Sequence, residues 1–593
     1  MRSVHTLRRT SGSTVPQHVL CMDTVLTLRQ GEPGRAPPYF THGDVSTVSL
    51  DRHLDAVRHR QLSPLAGDVW LTMLARRCRP GSSHWLVGRS VYQQLTALGF
   101  FSQVDGNVWQ MQAPPEGDGG HKRSRDWAGF VVLEDKTTII VLRRVGGGVL
   151  HIVDVSNFGA DLSSAWTADP EQNVLTLAEW WTSWVEWIRS NHAGSVKYTV
   201  GAQAMAYFRG RHLHDAIAVH THERALELEA RSLYGGRCEA YQLGKLPGTV
   251  HHLDARSLYG WCAANANVPV QLLDYREGEQ VWGMLSDPGC VADVTVSVDE
   301  PCVPYRLPDK ELTVWPVGTF RTVLCAPELS LVHGRVSQIH AAAVYRIVPA
   351  LQQFAEHCWV LRCREEDKGN RIVAKQLKLF SQVLYGKFAQ RYRGWRHCQE
   401  ESPPAPWSLW WTMDREKHVP VAWRAIAGRV ERHVDGGFTD QAIPIISAWI
   451  ASLARRRLWD LMEAAGRRNV YYCDTDSLFV SGDGMNRLTE AKDVIGPFLG
   501  QLRVEGRYDD VEIFGWKHYY AGGELRCAGF DRRARPGFAS HQGPPKMEPV
   551  SESCRQGRAP VPVALLAQAT VGSQYRHGRV LPGGRVVPFD VTA

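Results

Sequence analysis

The chain has 593 residues, 44% hydrophobic and 22% charged, with 68 Lys plus Arg against 61 Asp plus Glu for a formal net charge of +7. That length supports about four folding units with cores of their own, and the composition excludes a disordered, collagen-like or fibrous chain. No apolar run of about eighteen residues marks a membrane span, and the 13 scattered cysteines include no CxxC pair, the pattern of a reduced intracellular protein without a zinc ribbon.

The leader carries Arg2, Arg8 and Arg9, and its first acid is Asp23. A mitochondrial presequence shares that bias, but the apolar, strand-like run from Val15 favours a folded start and a cytoplasmic location, with the mitochondrion left open. Strand-like runs follow at Trp85–Val87, Gly129–Leu133 and Thr138–Leu142, with a solvated loop at 112–127 between the first two. A Trp-rich helix is expected over Leu177–Ile188, so residues 1–200 read as a mixed α/β domain. Residues 201–250 connect it to the rest. Val250–Leu253 is a short strand that ends at Asp254, residues 371–390 have helical spacing, and 444–465 form a long helix opened by Pro444. After Gly466 the chemistry turns to strand, VYYCDTDSLFV, which predicts a hairpin with carboxylates at its tip. Residues 391–435, rich in Trp, Arg and Pro, read as an irregular insertion, and the Pro- and Gly-rich last sixty as a loop-rich subdomain.

Three stretches carry chemistry. In YYCDTDSLF the two acids Asp474 and Asp476 are one residue apart, which on a strand puts them on the same side. Two carboxylates held together repel, and a divalent cation relieves the repulsion. In HLDARSLYG, Asp254 ends a strand and precedes a turn whose N–H groups suit phosphate oxygens. Joined to Asp474 around two cations it would give the arrangement of two-metal phosphoryl or nucleotidyl transfer. In RIVAKQLKLFSQVLYGK, Arg371, Lys375, Lys378 and Tyr385 share one helix face. Only 13 of the 68 basic residues are Lys. Lys375, Lys378 and Lys387 nevertheless cluster here, as compact point charges for phosphate. Alone, an exposed acidic turn, a strand-end acid and a solvated basic stripe would each explain one stretch without any catalysis.

Together, in this order, the three strings resemble motifs A, B and C of family B DNA polymerases. Trp516–Tyr520 (WKHYY) resembles the KxY element of that family and Tyr234–Arg237 (YGGR) its YxGG segment. The likeness is strong over about 230–520 and weak before it, and the layout is most similar to the protein-primed branch of phages and linear plasmids. It implies an α/β (α+β) multidomain right hand, with an RNase H-like exonuclease-type domain (1–200), a connector with the YxGG-type motif (201–250), a first palm part with an insertion (251–355), fingers (356–390), a second insertion and palm part (391–520) and a thumb-like region (521–593). VWPVGTF and Pro327-Glu328-Leu329 look like the first insertion. The resemblance assigns Asp254 and Asp474 to two Mg²⁺ ions, with Mn²⁺ as the alternative, and Asp476 to a supporting role beside them. It assigns Ser257, Leu258, Tyr259, Arg371, Lys375, Lys378, Gln382 and Tyr385 to the nucleotide, and Tyr234, Gly235, Gly236, Arg237, Lys517 and Tyr519 to DNA. The implied partners are template, primer, dNTPs and a terminal protein, acting on a monomer in a host cytoplasm, with no membrane.

Departures are Gly260 where Pro is usual, and Gln382-Val383 where Asn-Ser is. The exonuclease motifs retain only Asp23 of their acids, which predicts a decayed hydrolytic site. Two other readings fit the same residues: a self-priming polymerase, and a non-catalytic DNA-binding relic. Synthesis on a circular single strand without primer separates the first, and failure of primer extension the second.

Overall fold

The computed structural model describes residues 169–308, 312–398, 429–527 and 575–591, together with shorter segments, chiefly strands, elsewhere. In the N-terminal region nine strands form one sheet, in the order Arg58–Leu62, Tyr39–Ser49, His18–Arg29, Ser83–Gly88, Val149–Asp154, Thr137–Arg143, Ala128–Glu134, Val108–Met111 and Phe101–Asp105. Ser83–Gly88 runs parallel to both of its neighbours. Asp23 lies on His18–Arg29. Its side chain, and the motif positions around Arg89 and Gln93, fall outside the described residues, so the expectation of a decayed exonuclease site does too.

Helix α1 (Pro170–Ser190) starts where Asp169 accepts a hydrogen bond from the Glu171 N–H and a proline occupies the first turn. Its tryptophans explain its place. Trp180 and Trp184 are fully buried, Trp184 stacks on Trp187 at 5.3 Å, and both meet Phe380 edge-on at 5.6 and 5.9 Å. Such ring pairs add about 0.5–1.5 kcal/mol each beyond the area they bury.

The central sheet has five strands: β1 (Cys238–Ala240), β2 (Val250–Ala255), β3 (Val470–Asp474), β4 (Ser477–Ser481) and β5 (Leu502–Tyr508). They are antiparallel in the order β1-β3-β4-β2-β5. The connections bring in helices α2 (Leu258–Asn265), α3 (Ala326–Val332), α4 (Gln352–Asp367), α5 (Arg371–Phe388) and α6 (Pro444–Ala465). Helices α4 and α5 form a hairpin across Lys368–Asn370, with the Asn370 side chain capping α5 at the Val373 N–H. Helix α6 begins and ends at the predicted residues, with Pro444 in its first turn and Gly466 at φ +76° just past its end.

A second sheet, Val268–Glu277, Val336–Val348, Cys290–Val298 and Gly318–Cys325 in that order, fills the gap between the first two motifs. Glu328 of Pro327-Glu328-Leu329 is tied to Arg455 of α6 in a buried ion pair, which fastens this segment to the long helix. The 391–435 stretch is not irregular. Arg391–His397, Arg429–Phe438, Val419–Ile426 and Ser408–Asp414 make a four-stranded antiparallel sheet. Trp423 is buried there and donates its indole N–H to Thr412 Oγ1 at 2.7 Å. At the far end, residues 575–591 return to the central sheet: the Tyr575 hydroxyl accepts from the Ala240 N–H, and the Val586 N–H donates to the Tyr241 carbonyl. Among the described residues no helix is long and apolar enough to cross a membrane, and the described cysteines are free thiols.

Candidate active site

Register brings the acids together. Asp254 on β2 stands opposite Ser477 on β4, and Ser477 stands opposite Asp474 on β3. Residues directly opposite in antiparallel pairs put their side chains on one face. Asp474, Ser477 and Asp254 therefore form a row across three strands, with the two Asp backbones about 10 Å apart, two strand spacings. Asp476 does not sit on a strand, as the same-side argument assumed. It and Thr475 make the two-residue turn between β3 and β4. Thr475 adopts φ +61°, its N–H donates to the Arg237 carbonyl and its Oγ1 to Asp474 Oδ1 at 3.0 Å. The Asp476 carbonyl accepts from the Ala255 N–H at 2.7 Å, which fastens the turn to the end of β2.

The electrostatics follow from this crowding. Burial, then the charges of Asp254 and Asp474, push the Asp476 carboxyl up to about 7 against the pull of Lys378. Burial and Glu505 raise Asp254, opposed by Lys378, Arg503 and Arg256. Lys517 Nζ lies 2.8 and 3.0 Å from the two Asp474 oxygens. Burial alone would lower this ammonium, but the hydrogen bond and charge of Asp474 hold it above the usual lysine range. Lys517 itself has φ +52°, and its N–H donates to the Tyr472 hydroxyl.

Oxygen donors that share a site and resist ionising together suit a hard divalent cation. Asp254, Asp474 and Asp476 are the residues that could hold Mg²⁺, but as they stand here no three His, Cys, Asp or Glu side chains among the described residues converge as metal ligands, and Asp474 is paired with Lys517. A pH signature follows. In the metal-free protein Asp476 binds a proton below about pH 7, and cation binding must expel it. The apparent Mg²⁺ affinity should then fall, by up to about tenfold per unit, as pH drops from 7 to 5. Calorimetry in two buffers of different ionisation heat should show proton release at pH 6.5, absent at pH 8.5 and absent in Asp476→Asn.

Beside the acids lies an aromatic floor. Tyr259 of α2 and Tyr385 of α5 stack at 4.4 Å with planes 5° apart. Gly236 is required beneath them, because a Cβ there would lie 2.8 Å from the Thr475 side chain and 3.1 Å from the Tyr259 hydroxyl. Ser257, at φ +52°, opens α2, and its Oγ accepts from Arg362 of α4 at 3.2 Å. Helix α5 buries Val373, Leu377, Phe380 and Leu384 and turns Arg371, Lys375 and Lys378 outward. Of these three cations, Lys378 bears on both Asp254 and Asp476. Gln382 is half-buried on the same helix.

Three expected contacts are corrected. Arg237 is 1% exposed, and its guanidinium bonds Glu239 and lies over Trp315 and Trp459 at 5.0 and 5.2 Å, so it is a core cation rather than a DNA contact. Tyr234 is buried, with its hydroxyl on Thr322 Oγ1 at 3.0 Å; of the YGGR string only Gly235 is exposed. The Leu258 side chain is core, which leaves only its backbone for a nucleotide. Tyr519 packs edge-on against Phe479 at 4.9 Å, half-buried next to the Lys517 turn. Arg455, Arg362 and Glu505 were missed. Arg455 meets Tyr234, Arg362 meets Ser257 and Glu505 acts on Asp254 across more than a hundred residues of chain, and no local spacing announces these pairings.

Residues 171–396 match the family model described as DNA polymerase type B, organellar and viral. No curated protein matches in sequence. Among solved structures, the chain is similar to the orthorhombic crystal form of Phi29 DNA polymerase, with 13% identity, a TM-score of 0.60 and coverage of 93% of this chain and 99% of that one. It is also similar to the Phi29 enzyme with primer-template DNA and incoming nucleotide substrates, with 13% identity, a TM-score of 0.57 and coverage of 90% and 97%. At this identity the likeness establishes the fold.

Proposed function

We infer that the chain is a type B DNA polymerase of the organellar and viral kind, from its family match and its right-hand fold together. We propose further that it extends a 3′-hydroxyl with dNTPs at the row that holds Asp474 and Asp254, beside Asp476 in the adjoining turn. The observation that carries this reading is that Asp254 and Asp474 share one row of the sheet, with Asp476 in the adjoining turn and the charge of Lys378 acting on both Asp254 and Asp476. Asp254 and Asp474 would hold the divalent ions, which when bound lower the pKa of the attacking hydroxyl and steady the leaving pyrophosphate. Lys378, with Lys375 and Arg371 further along the helix, receives the triphosphate. The backbone of Ser257–Leu258 borders it, Gln382 faces the nucleotide, and Lys517 and Tyr519 stand at the primer terminus. Gly235 and Gly236 offer backbone to the template.

Initiation uses a protein hydroxyl in this reading, supplied by a terminal protein. Rolling extension of a primed circle tests synthesis. The same circle without primer or partner protein tests initiation, and product there would favour self-priming. Absence of extension on the primed circle with Mg²⁺ or Mn²⁺ would leave the DNA-binding relic.

In this reading Tyr259, whose ring stacks on Tyr385, would exclude a 2′-hydroxyl by contact. Tyr259→Ala should raise the relative kcat/KM for ribonucleotides by about 10–100-fold, the worth of about 1.4–2.7 kcal/mol. Single-turnover incorporation of ATP against dATP measures it, and unchanged sugar discrimination would remove Tyr259 from this role.

A further inference from the structure

Asp474, which in the proposed reading holds a divalent ion, already has a cation on it. Lys517 Nζ lies 2.8 and 3.0 Å from its two oxygens, and Thr475 Oγ1 donates to one of them at 3.0 Å. A carboxylate has about four lone-pair sites, so these donors take up most of what it could offer an ion. A divalent ion at either oxygen would stand beside the ammonium, and two cations on one carboxylate repel. Lys517 and the ion therefore compete for the same two atoms, in keeping with the absence, among the described residues, of three side chains that converge as metal ligands.

The backbone under Lys517 is fixed, while its side chain is free to turn. Trp516 and Lys517 make the two-residue turn between the antiparallel strands Val511–Gly515 and His518–Ala521. The Lys517 N–H donates to the buried Tyr472 hydroxyl at 3.2 Å, and Trp516 stacks on His577 at 5.9 Å with planes 12° apart. These contacts hold the turn beside β3. The ammonium itself hangs on a flexible four-carbon stem, and the side chain is 36% exposed. The Trp516 ring, 5.6 Å from Nζ and 46% exposed, offers the cation a second face. Leaving Asp474 takes the rotation of one side chain and no movement of the sheet.

We propose that Lys517 is a built-in competitor of the divalent ion. It neutralises Asp474 until primer DNA arrives, and the anionic primer then draws the ammonium away and opens the carboxylate to the ion. The proposal rests on the reading of Asp254 and Asp474 as ion ligands and of Lys517 as a primer contact. It makes primer and ion bind cooperatively, and by linkage each raises the affinity of the other by the same factor.

The test uses the full chain without dNTPs, so that no chemistry occurs, and Mn²⁺ as the probe. Wild type is compared with Lys517→Met, Lys517→Arg, Lys378→Met and Asp474→Asn, each checked for folding by thermal melting. Electron paramagnetic resonance of free Mn²⁺ gives the affinity without DNA. Lys517→Met should bind Mn²⁺ about tenfold more tightly than wild type, through the loss of one charge-assisted pair. Lys517→Arg keeps the charge and can grip both oxygens with a planar fork, so it should bind Mn²⁺ no better than wild type. Fluorescence anisotropy of a primer-template with and without Mn²⁺ gives the coupling, which should be about tenfold for wild type and under about twofold for Lys517→Met. If Lys517→Met stays within twofold of wild type in Mn²⁺ affinity, or keeps the full coupling, the proposal is wrong. It is also wrong if Lys378→Met, which removes a charge acting on Asp254 and Asp476, matches Lys517→Met in both measurements, since the effect is then one of general charge. Loss of Mn²⁺ binding in Asp474→Asn beside an unchanged Lys517→Met would overturn the proposal alone and leave the reading of the site intact. If Asp474→Asn binds Mn²⁺ as wild type does, Asp474 does not hold the ion, and that reading fails together with the proposal.

Discussion

Asp474→Asn and Asp254→Asn should each cut primer extension at least about a thousandfold, the loss of about 4 kcal/mol of barrier lowering, while primer-template binding stays within twofold of wild type. Each substitution is nearly isosteric and keeps one oxygen, so neither the β2–β4 ladder nor the β3–β4 hairpin is disturbed. What disappears, in the proposed reading, is a charge in the row assigned to the divalent ions. DNA binding depends on cations elsewhere and is not weakened by removing an acid. Asp476→Asn should be milder, because in this reading that carboxyl assists from the turn while Asp254 and Asp474 hold the ions. Asp474→Asn also strips Lys517 of its partner, since both carboxylate oxygens meet that ammonium. Lys517→Met is the control. If it matches Asp474→Asn in both extension and Mn²⁺ binding, the acid acts by placing Lys517. If it extends measurably while Asp474→Asn does not, the acid acts on the ions. Full extension by Asp474→Asn would end the reading.

The parts of this site that could be read from sequence are those with a local signature. The acids of YYCDTDS and HLD, the helix with Lys375 and Lys378, and the long helix from Pro444 are each a matter of spacing within about twenty residues. Their meeting is a matter of register, because Asp254 and Asp474 share a row only through Ser477, and no pattern in either string encodes that pairing. Arg237 misled for the opposite reason. Its neighbours spell a familiar string, but its charge is consumed by Glu239 and two tryptophans from distant parts of the chain. Residues 391–435 looked irregular because Trp, Arg and Pro mask the alternation of a strand. Pro420 nevertheless fits within Val419–Ile426, near its start, where a missing N–H does little harm.

Breaking the Arg455–Glu328 pair should have the largest effect on stability, and it reaches the site as well. Arg455 Nε and Nη2 bond the two Glu328 oxygens at 2.8 and 2.7 Å, and Nη1 holds the Tyr234 and Gly235 carbonyls at 2.9 and 3.1 Å. Both side chains are at most 3% exposed. Arg455→Leu would leave a carboxylate buried without a partner and free two carbonyls, a cost of about 3–5 kcal/mol. Removing both charges, as Arg455→Leu/Glu328→Leu, eliminates the unpaired charge and should recover much of that loss. Arg455→Lys keeps the charge but loses the planar fork, so it should fall between the two. The carbonyls matter for function because they anchor the turn that sets Gly236 against Thr475 and the Tyr259 hydroxyl. The double variant should therefore melt near wild type yet extend primers more slowly, since its turn is still released. Scanning calorimetry with extension rates at 25 °C reads both quantities. A single variant as stable as the double would mean that Glu328 is not held by Arg455, and a double variant with wild-type rate would mean that the turn does not bear on the carboxylates.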